Sequence, residues 1–190
     1  MRLCCGIVAA WVLVAFAAAA GALAADEPDN IKLGQFIATP SPQPAPEISF
    51  TDSAGNTVSL ADFKGKFVIL NLWATWCQPC LKEMPSLAAL QARLGPAVTV
   101  LAVSEDRGGA EAVRPYVAKL GLDSFLKIYL DPKSAVGRTL GMRGLPTSFA
   151  IDGEGRVLGK VEGQADWDSD SMRATLAGLM PPSADGAAKR

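Results

Sequence analysis

The fold of this chain is decided by the segment Phe67-Val68-Ile69-Leu70-Asn71-Leu72-Trp73-Ala74-Thr75-Trp76-Cys77-Gln78-Pro79-Cys80. Its first half is a nearly continuous apolar run of strand length, which is typical of a strand covered on both faces of a sheet. A helical pattern then runs from about Cys77 to Leu94, with apolar residues at helical spacing. The segment therefore predicts a buried strand that leads directly into a helix, with two cysteines at the junction.

Strand and helix patterns alternate on both sides of this segment. Upstream, Glu47 to Phe50 and Thr57 to Leu60 flank a turn-rich stretch and predict a small hairpin. Downstream the patterns predict a strand at Val98 to Ser104, a helix at Ala110 to Leu120, a strand at Leu126 to Leu130, a short helix at Lys133 to Leu140, a hairpin formed by Ser148 to Ile151 and Arg156 to Val161, and a helix at Ser169 to Leu179 with Ser169 as its N-cap. This order predicts an α/β fold with a mixed central sheet flanked by helices.

The cysteine pair is suited to thiol–disulfide exchange. A thiol attacks a disulfide only as the thiolate, and a helix N-terminus stabilises a negative charge through its unpaired N–H groups. Cys77 lies at the predicted helix start, where Pro79 fits an early helix position, and Cys80 lies one turn further in. We therefore predict Cys77 as the exposed nucleophile and Cys80 as the resolving thiol.

The two ends of the chain are predicted to lie outside the domain. Residues 1–25 carry one positive charge near the start, at Arg2, followed by an uncharged apolar run and a small-residue cleavage motif. This pattern is typical of a signal peptide or a membrane anchor. Residues 26–46 are polar and then proline-rich, so we predict a semi-rigid linker there. A flexible tail is expected over residues 181–190. Both interpretations of the N-terminus place the domain in an extracytoplasmic compartment.

Composition excludes several other classes of protein. Lys and Arg number 18 against 19 for Asp and Glu, without a basic cluster, so nucleic acid is not expected as a partner. The chain has no histidine, which excludes Cys-His activation of a nucleophile and His-bearing zinc sites. Haem attachment would require a histidine directly after Cys80, and Leu81 is found there. Metal ligands and cofactors are not expected beyond a redox-active Cys77–Cys80 disulfide.

Three stretches resemble the TlpA/ResA branch of the thioredoxin superfamily. The first is Asn71-Leu72-Trp73-Ala74-Thr75-Trp76-Cys77-Gln78-Pro79-Cys80-Leu81-Lys82-Glu83-Met84-Pro85, which is similar to the active-site segment of that branch. Gly144-Leu145-Pro146-Thr147 resembles the superfamily's cis-proline loop, and Ala165-Asp166-Trp167 resembles the end of TlpA. The resemblance spans Glu47 to Met180. It implies a thioredoxin-like fold over residues 47–180, with an added N-terminal β-hairpin and a central insertion from Ser104 to about Gly141.

The resemblance also implies a function and roles for individual residues. Members of this branch are periplasmic, often membrane-anchored reductases that serve cytochrome c maturation or assembly of the copper site of cytochrome oxidase. They act on cysteine pairs of protein clients and receive electrons from a membrane donor that relays thiols. By resemblance, Glu83 assists proton movement at the cysteines, and Leu145 and Pro146 guide the substrate. Trp76 is expected to face the partner, and the protein is expected to be a monomer.

Non-functional interpretations of single residues stay open at this point. Glu83 could be a solvated residue of the first helical turn, and Pro146 could be a trans proline in an ordinary loop. Asn71 stands where cytosolic thioredoxins carry a buried aspartate. That substitution fits a proton role for Glu83 and fits equally a simple hydrogen bond in the core. Trp73, Trp167 and Tyr129 are expected to be structural, and Arg143 is expected to be a solvated arginine.

Three rival functions are also considered. An oxidase or isomerase would use the same cysteines with a different redox potential. A peroxiredoxin-like peroxidase is a further alternative, because the hairpin and the strand before the motif also resemble peroxiredoxins. A non-catalytic copper(I)-binding module would use the two thiolates as soft ligands.

Overall fold

A computed structural model describes residues 33–180 of the chain. The signal peptide or anchor predicted over residues 1–25 and the tail predicted over residues 181–190 lie outside these residues. Within residues 33–180, no helix has both the length and the apolar character that crossing a membrane requires.

The described residues form a single mixed sheet of eight strands and four α-helices. The strands are β1 (Phe36–Pro44), β2 (Ser49–Thr51), β3 (Thr57–Ser59), β4 (Phe67–Trp73), β5 (Val98–Ser104), β6 (Lys127–Leu130), β7 (Thr147–Ile151) and β8 (Arg156–Glu162), and the helices are α1 (Gln78–Leu94), α2 (Gly109–Leu120), α3 (Ala135–Thr139) and α4 (Asp170–Leu179). The strand order is β1-β8-β7-β4-β5-β6-β2-β3. Strand β4 is parallel to β5 and antiparallel to β7. The predicted thioredoxin-like fold with its mixed sheet is confirmed.

Strand β4 lies in the middle of the sheet and is buried along its whole length. Its alternate side chains enter two separate cores, because successive residues of a strand point to opposite faces. Phe67, Ile69 and Trp73 pack on the face that carries α1, and Val68, Leu70 and Leu72 pack on the opposite face. The apolar run in the sequence thus reflects a strand covered on both sides, as predicted.

The helices divide between the two faces of the sheet. Buried residues of α1, α2 and α4, among them Leu87, Val113 and Leu176, belong to the first core. Val136 of α3 and Leu60 of a short 3-10 helix belong to the second. The hairpin of β2 and β3 forms as predicted, and the segment between β5 and β7 contributes α2, β6 and α3.

The structure corrects the prediction for the proline-rich linker. Residues 36–44 lie in the sheet as edge strand β1, antiparallel to β8, instead of forming a tether outside the domain. Proline is tolerated on an edge strand because its nitrogen can face solvent there, so that its missing N–H removes no hydrogen bond to a neighbouring strand. Extended backbone also suits both polyproline and a strand, so the proline pattern alone does not separate the two. Only the prediction for residues 26–32 lies outside the described residues.

Candidate active site

The two cysteines lie where β4 passes into α1, at the carboxyl end of the central strand. Cys77 is the N-cap residue of α1, with an extended backbone, and Pro79 occupies the first turn. The two residues form a disulfide with a Cα–Cα distance of 5.3 Å. Cys77 is 6% exposed and Cys80 is 0% exposed, so a partner reaches Cys77 first.

The start of α1 supplies an electrostatic reason for thiolate chemistry at Cys77. The Cys77 Sγ accepts a hydrogen bond from the backbone N–H of Cys80 at 3.3 Å. Helix N-termini carry unpaired N–H groups and partial positive charge, which stabilise a negative sulfur after reduction. The arrangement therefore favours Cys77 as the attacking group and keeps Cys80 behind it.

Glu83 is buried one turn beyond Cys80, at 1% exposure. Its Oε1 accepts a hydrogen bond from Asn71 Nδ2 at 2.8 Å, and its Oε2 accepts from the backbone N–H of Ala165 at 3.0 Å and from Trp167 Nε1 at 3.4 Å. Burial raises the pKa of this carboxyl to about 7, although the three hydrogen bonds act in the opposite direction. A carboxyl with such a pKa is partly protonated near neutral pH, and its burial excludes the interpretation as a solvated residue.

The surroundings of Glu83 could be predicted only in part. Asn71 is fully buried on β4 and donates to Ser148 Oγ as well as to Glu83, so the core hydrogen bond considered for it exists. Trp167 is buried as expected, but it also donates to Glu83 from 84 positions along the chain. No spacing signal in the sequence connects residues so far apart, which is why this contact was missed.

The loop before β7 lies beside the cysteine helix. The Leu145–Pro146 peptide bond is cis, as the resemblance implies, and Pro146 is buried. Thr147 Oγ1 donates to the carbonyl of Gly144 at 2.6 Å. Pro79 from the motif lines one groove of about 740 Å³ together with Leu145 and Pro146. The fold thus brings the two sequence motifs to the same surface.

Trp76 projects from the same end of the domain. Its side chain is 68% exposed, in contrast to Trp73, which is fully buried as predicted. Trp76 and Leu145 line a second groove of about 680 Å³, with Met142 among the other lining residues. The exposure of Trp76 is inconsistent with a role in core packing. Within residues 33–180, no group of three or more Cys, Asp or Glu side chains is arranged to hold a metal ion.

Arg143 is exposed, as expected of a solvated arginine, and it also forms an ion pair. Its guanidinium donates to both carboxylate oxygens of Glu162, at 3.2 and 2.8 Å, and Glu162 is only 6% exposed. The hydrogen bond from Arg143 lowers the pKa of Glu162, and Lys160 acts in the same direction. Glu162 lies opposite Thr147 in the sheet, so this pair ties the cis-proline loop to β8.

Comparison with known proteins agrees with this geometry. Residues 42–159 match the family model described as the AhpC/TSA family. The chain belongs to the AhpC/TSA family. Among curated AhpC/TSA-like relatives, the thiol-disulfide oxidoreductase ResA of Bacillus anthracis is 37% identical over 121 residues, covering 63% of this chain and 68% of the relative. ResA of Bacillus subtilis is 34% identical over 139 residues, covering 73% and 74%.

Two solved structures with the same fold belong to proteins that catalyse thiol–disulfide exchange by name. A thiol:disulfide interchange protein from a Bacteroides species has a TM-score of 0.63 at 27% identity, covering 77% of this chain and 93% of that one. The thioredoxin domain of a thiol-disulfide oxidoreductase from Bacteroides vulgatus has a TM-score of 0.62 at 27% identity, covering 73% and 96%. Together with the Cys77–Cys80 disulfide, these matches identify the chain as a thiol-disulfide oxidoreductase of the ResA and DsbE type.

Proposed function

We propose that this protein is a reductase of cysteine pairs in exported proteins, in which Cys77 attacks and Cys80 resolves. The placement of the two sulfurs carries the assignment of attack and resolution, and the family resemblance supports the reducing direction. Cys77 is the N-cap of α1 with its Sγ over the helix N–H groups. At 6% exposure it is largely buried in the disulfide form, contrary to the expected exposed nucleophile, but Cys80 is fully buried behind it. A nucleophile nearer the surface than the second thiol suits transient linkage to a client.

The reaction moves two electrons from the protein to its client. In the reduced protein, the Cys77 thiolate attacks one sulfur of the client disulfide, whose S–S bond breaks and whose other sulfur leaves as a thiolate. The Cys80 thiolate then attacks the Cys77 sulfur. The mixed disulfide breaks, the Cys77–Cys80 bond forms, and the client leaves with both sulfurs reduced.

Three further groups are proposed to assist this exchange. Glu83 takes the proton that Cys80 loses, because its pKa of about 7 lets it accept a proton near neutral pH. The backbone of Leu145, freed by the neighbouring Pro146, pairs with an extended segment of the client. Trp76 offers an exposed aromatic surface beside the disulfide, and aromatic side chains contribute strongly to protein contacts.

The cellular setting is proposed from the N-terminal sequence and the family resemblance. Residues 1–25 export the domain to the periplasm as a cleaved signal or hold it at the inner membrane as an anchor. Cytochrome c maturation and assembly of the cytochrome oxidase copper site are the client pathways that the resemblance suggests. Either pathway requires a membrane donor that reduces Cys77–Cys80 again, because the periplasm is otherwise oxidising. The domain is proposed to act as a monomer.

The order of attack is tested with a Cys80→Ser variant, which cannot resolve the mixed disulfide. We expect the reduced variant to accumulate adducts with disulfide-bearing exported proteins and with insulin, linked through Cys77 by mass spectrometry. The matched Cys77→Ser variant keeps Cys80 without the attacking thiol and is expected to form few adducts through Cys80, because Cys80 is buried. Equal trapping by the two variants would contradict the assigned roles.

The Cys80→Ser variant and the native protein together separate the peroxidase and copper-binding alternatives from the proposed function. Consumption of hydrogen peroxide by Cys80→Ser at a rate exceeding its reaction with protein disulfides would favour the peroxidase. Tight stoichiometric copper(I) binding by the reduced protein without reduction of insulin would favour the metal-binding module. Reduction of insulin without either behaviour is the outcome that the proposal predicts.

A further inference from the structure

The turn that carries Cys77 is held by a carboxylate from the neighbouring strand. Thr75 lies two residues before Cys77, between the end of β4 and the start of α1. Asp106 lies just after β5. Its Oδ2 accepts a hydrogen bond from the backbone N–H of Thr75 at 2.9 Å, and its Oδ1 accepts from Thr75 Oγ1 at 2.6 Å. The two connections at this end of the sheet are thus joined through one side chain.

Asp106 is built into this position rather than resting on the surface. It is 4% exposed, and Ser104 Oγ donates a further hydrogen bond to its Oδ2 at 2.7 Å. The backbone N–H of Glu105 donates to the carbonyl of Trp73 at 2.9 Å, which ties the same two segments a second time. Burying a carboxylate costs free energy unless its oxygens are hydrogen-bonded, and Asp106 receives three such hydrogen bonds.

We propose that Asp106 is a positioning residue for thiol–disulfide exchange, which holds Thr75 and thereby seats the Cys77 sulfur over the N-terminus of α1. This inference deepens the proposed function and rests on the roles assigned there to the two cysteines. We call the hydrogen bonds between Asp106 and Thr75 the turn latch.

The turn latch matters most after the disulfide is reduced. In the oxidised protein the Cys77–Cys80 bond itself fixes Cys77. Reduction removes that bond. Cys77 has the extended backbone of an N-cap residue, whose carbonyl accepts the first helical hydrogen bond, from the Leu81 N–H at 3.1 Å. On the side before the helix, the turn then depends on the hydrogen bond from the Cys77 N–H to the Ala74 carbonyl and on the turn latch at Thr75. Without the latch, the reduced Cys77 samples positions from which it neither lies over the helix N–H groups nor faces Cys80.

The test measures the equilibrium between the Cys77–Cys80 dithiol and glutathione, which reports how well the two sulfurs are held for bonding. Asp106→Ala removes the turn latch. We expect it to lower the equilibrium constant for disulfide formation by about tenfold, the size of losing buried hydrogen bonds to a charged group. The Cys77 thiol should also react more slowly with a small disulfide reagent at its pH-independent plateau.

A conservative variant separates position from charge. Asp106→Asn can accept from the Thr75 N–H through its carbonyl and donate to Thr75 Oγ1 through its amide, so it keeps the latch and removes the charge. We expect its equilibrium constant to stay within about threefold of the native protein. Thr75→Val and Thr75→Ser form a second pair, in which only the valine loses the hydroxyl donor. The valine variant should shift in the same direction as Asp106→Ala, and the serine variant should not.

The control for general destabilisation is Asp131→Ala. Asp131 is another buried carboxylate after a strand, 5% exposed, and it accepts from the backbone N–H of Val136 at 2.7 Å, not from the cysteine turn. Its loss should lower the melting temperature without moving the glutathione equilibrium.

Two results would overturn the proposed positioning role of the turn latch. One is an unchanged glutathione equilibrium in both Asp106→Ala and Thr75→Val. The other is an equal shift in Asp106→Asn and Asp106→Ala, which would assign the effect to charge. Failure of the proposed function gives a different result, since the native protein itself would then not reduce protein disulfides.

Discussion

Glu83 receives its hydrogen bonds from three separate parts of the chain. Asn71 comes from β4, and Ala165 and Trp167 come from the segment between β8 and α4. All three donate, so the pocket favours the carboxylate, whereas burial favours the neutral acid. Burial prevails, and the pKa rises to about 7. The side chain is therefore held near the middle of its titration at neutral pH.

This balance predicts a pH dependence of stability. The unfolded carboxyl titrates near 4.5 and the folded one near 7, so between these values the folded protein binds more protons than the unfolded one. The free energy of unfolding should therefore fall by about 3 kcal/mol as the pH rises through this window, and level off above it. Urea denaturation of the reduced and oxidised protein across the window measures this fall.

The matched variant for this prediction is Glu83→Gln, which keeps the size of the side chain and cannot titrate. Its stability should fall less over the same window, because only the smaller contribution of Glu105, whose pKa burial also raises, remains. Glu162 and Asp168 do not interfere, because hydrogen bonds to arginines lower the pKa of both carboxyls. A native slope that persists in full in Glu83→Gln would show that another group is responsible.

The sequence predicted the placement of single residues where a short motif names them. The Cys77–Cys80 disulfide and the cis bond before Pro146 form as predicted, and the roles of these residues stay predictions. Residues that act through partners distant in sequence were predicted incompletely. Trp167 was expected to be structural only, and no ion pair was predicted for the exposed Arg143, because their partners Glu83 and Glu162 become neighbours only after folding.

At the scale of elements, the attachment of β1 to β8 is the feature that the sequence analysis did not predict. Phe36 packs against the first core, and its ring lies over Gly159 of β8. A Cβ at position 159 would lie 2.3 Å from the Phe36 Cζ and 2.5 Å from the carbonyl oxygen of Ile37. The glycine thus permits a close approach of the two strands, which a hydrophobic pattern does not reveal.

Gly159→Ala should therefore loosen β1. We expect a loss of about 1–3 kcal/mol in the free energy of unfolding, because the backbone at Ile37 cannot move without breaking the pairing. Faster hydrogen exchange at the β1 amides should accompany it.

Gly178→Ala is the matched control for this substitution. Gly178 lies exposed in α4 with no atom near an added Cβ, and alanine favours helix over glycine, so stability should be unchanged or rise by up to about 1 kcal/mol. Equal effects of the two substitutions would contradict the account of β1.

The remaining elements were predicted because their signals are local. A buried strand such as β4 reads as an apolar run, and α4 begins at the predicted cap, where the Ser169 Oγ accepts from the Met172 N–H. The short helix α3 covers only residues 135–139 of the predicted Lys133 to Leu140, because Ser134 has a positive φ and stands outside the helix. Such end effects depend on backbone geometry that residue type alone does not determine.

At the scale of the whole molecule, the fold brings the cysteine turn, the cis-proline loop and an exposed tryptophan to one end of the domain. The resemblance to the TlpA/ResA branch implied this arrangement. The direction of electron flow does not follow from that arrangement, since reductases and oxidases share the same fold. It depends on the relative stability of the dithiol and the disulfide.

The redox potential of the Cys77–Cys80 couple therefore tests the central claim most directly. It is obtained by equilibrating the protein with glutathione or dithiothreitol buffers and counting free thiols by mass spectrometry. A reductase should have a potential below about −200 mV, toward the value of about −270 mV for thioredoxin. A potential near −120 mV, about that of the strongly oxidising DsbA, would contradict the assignment as a reductase.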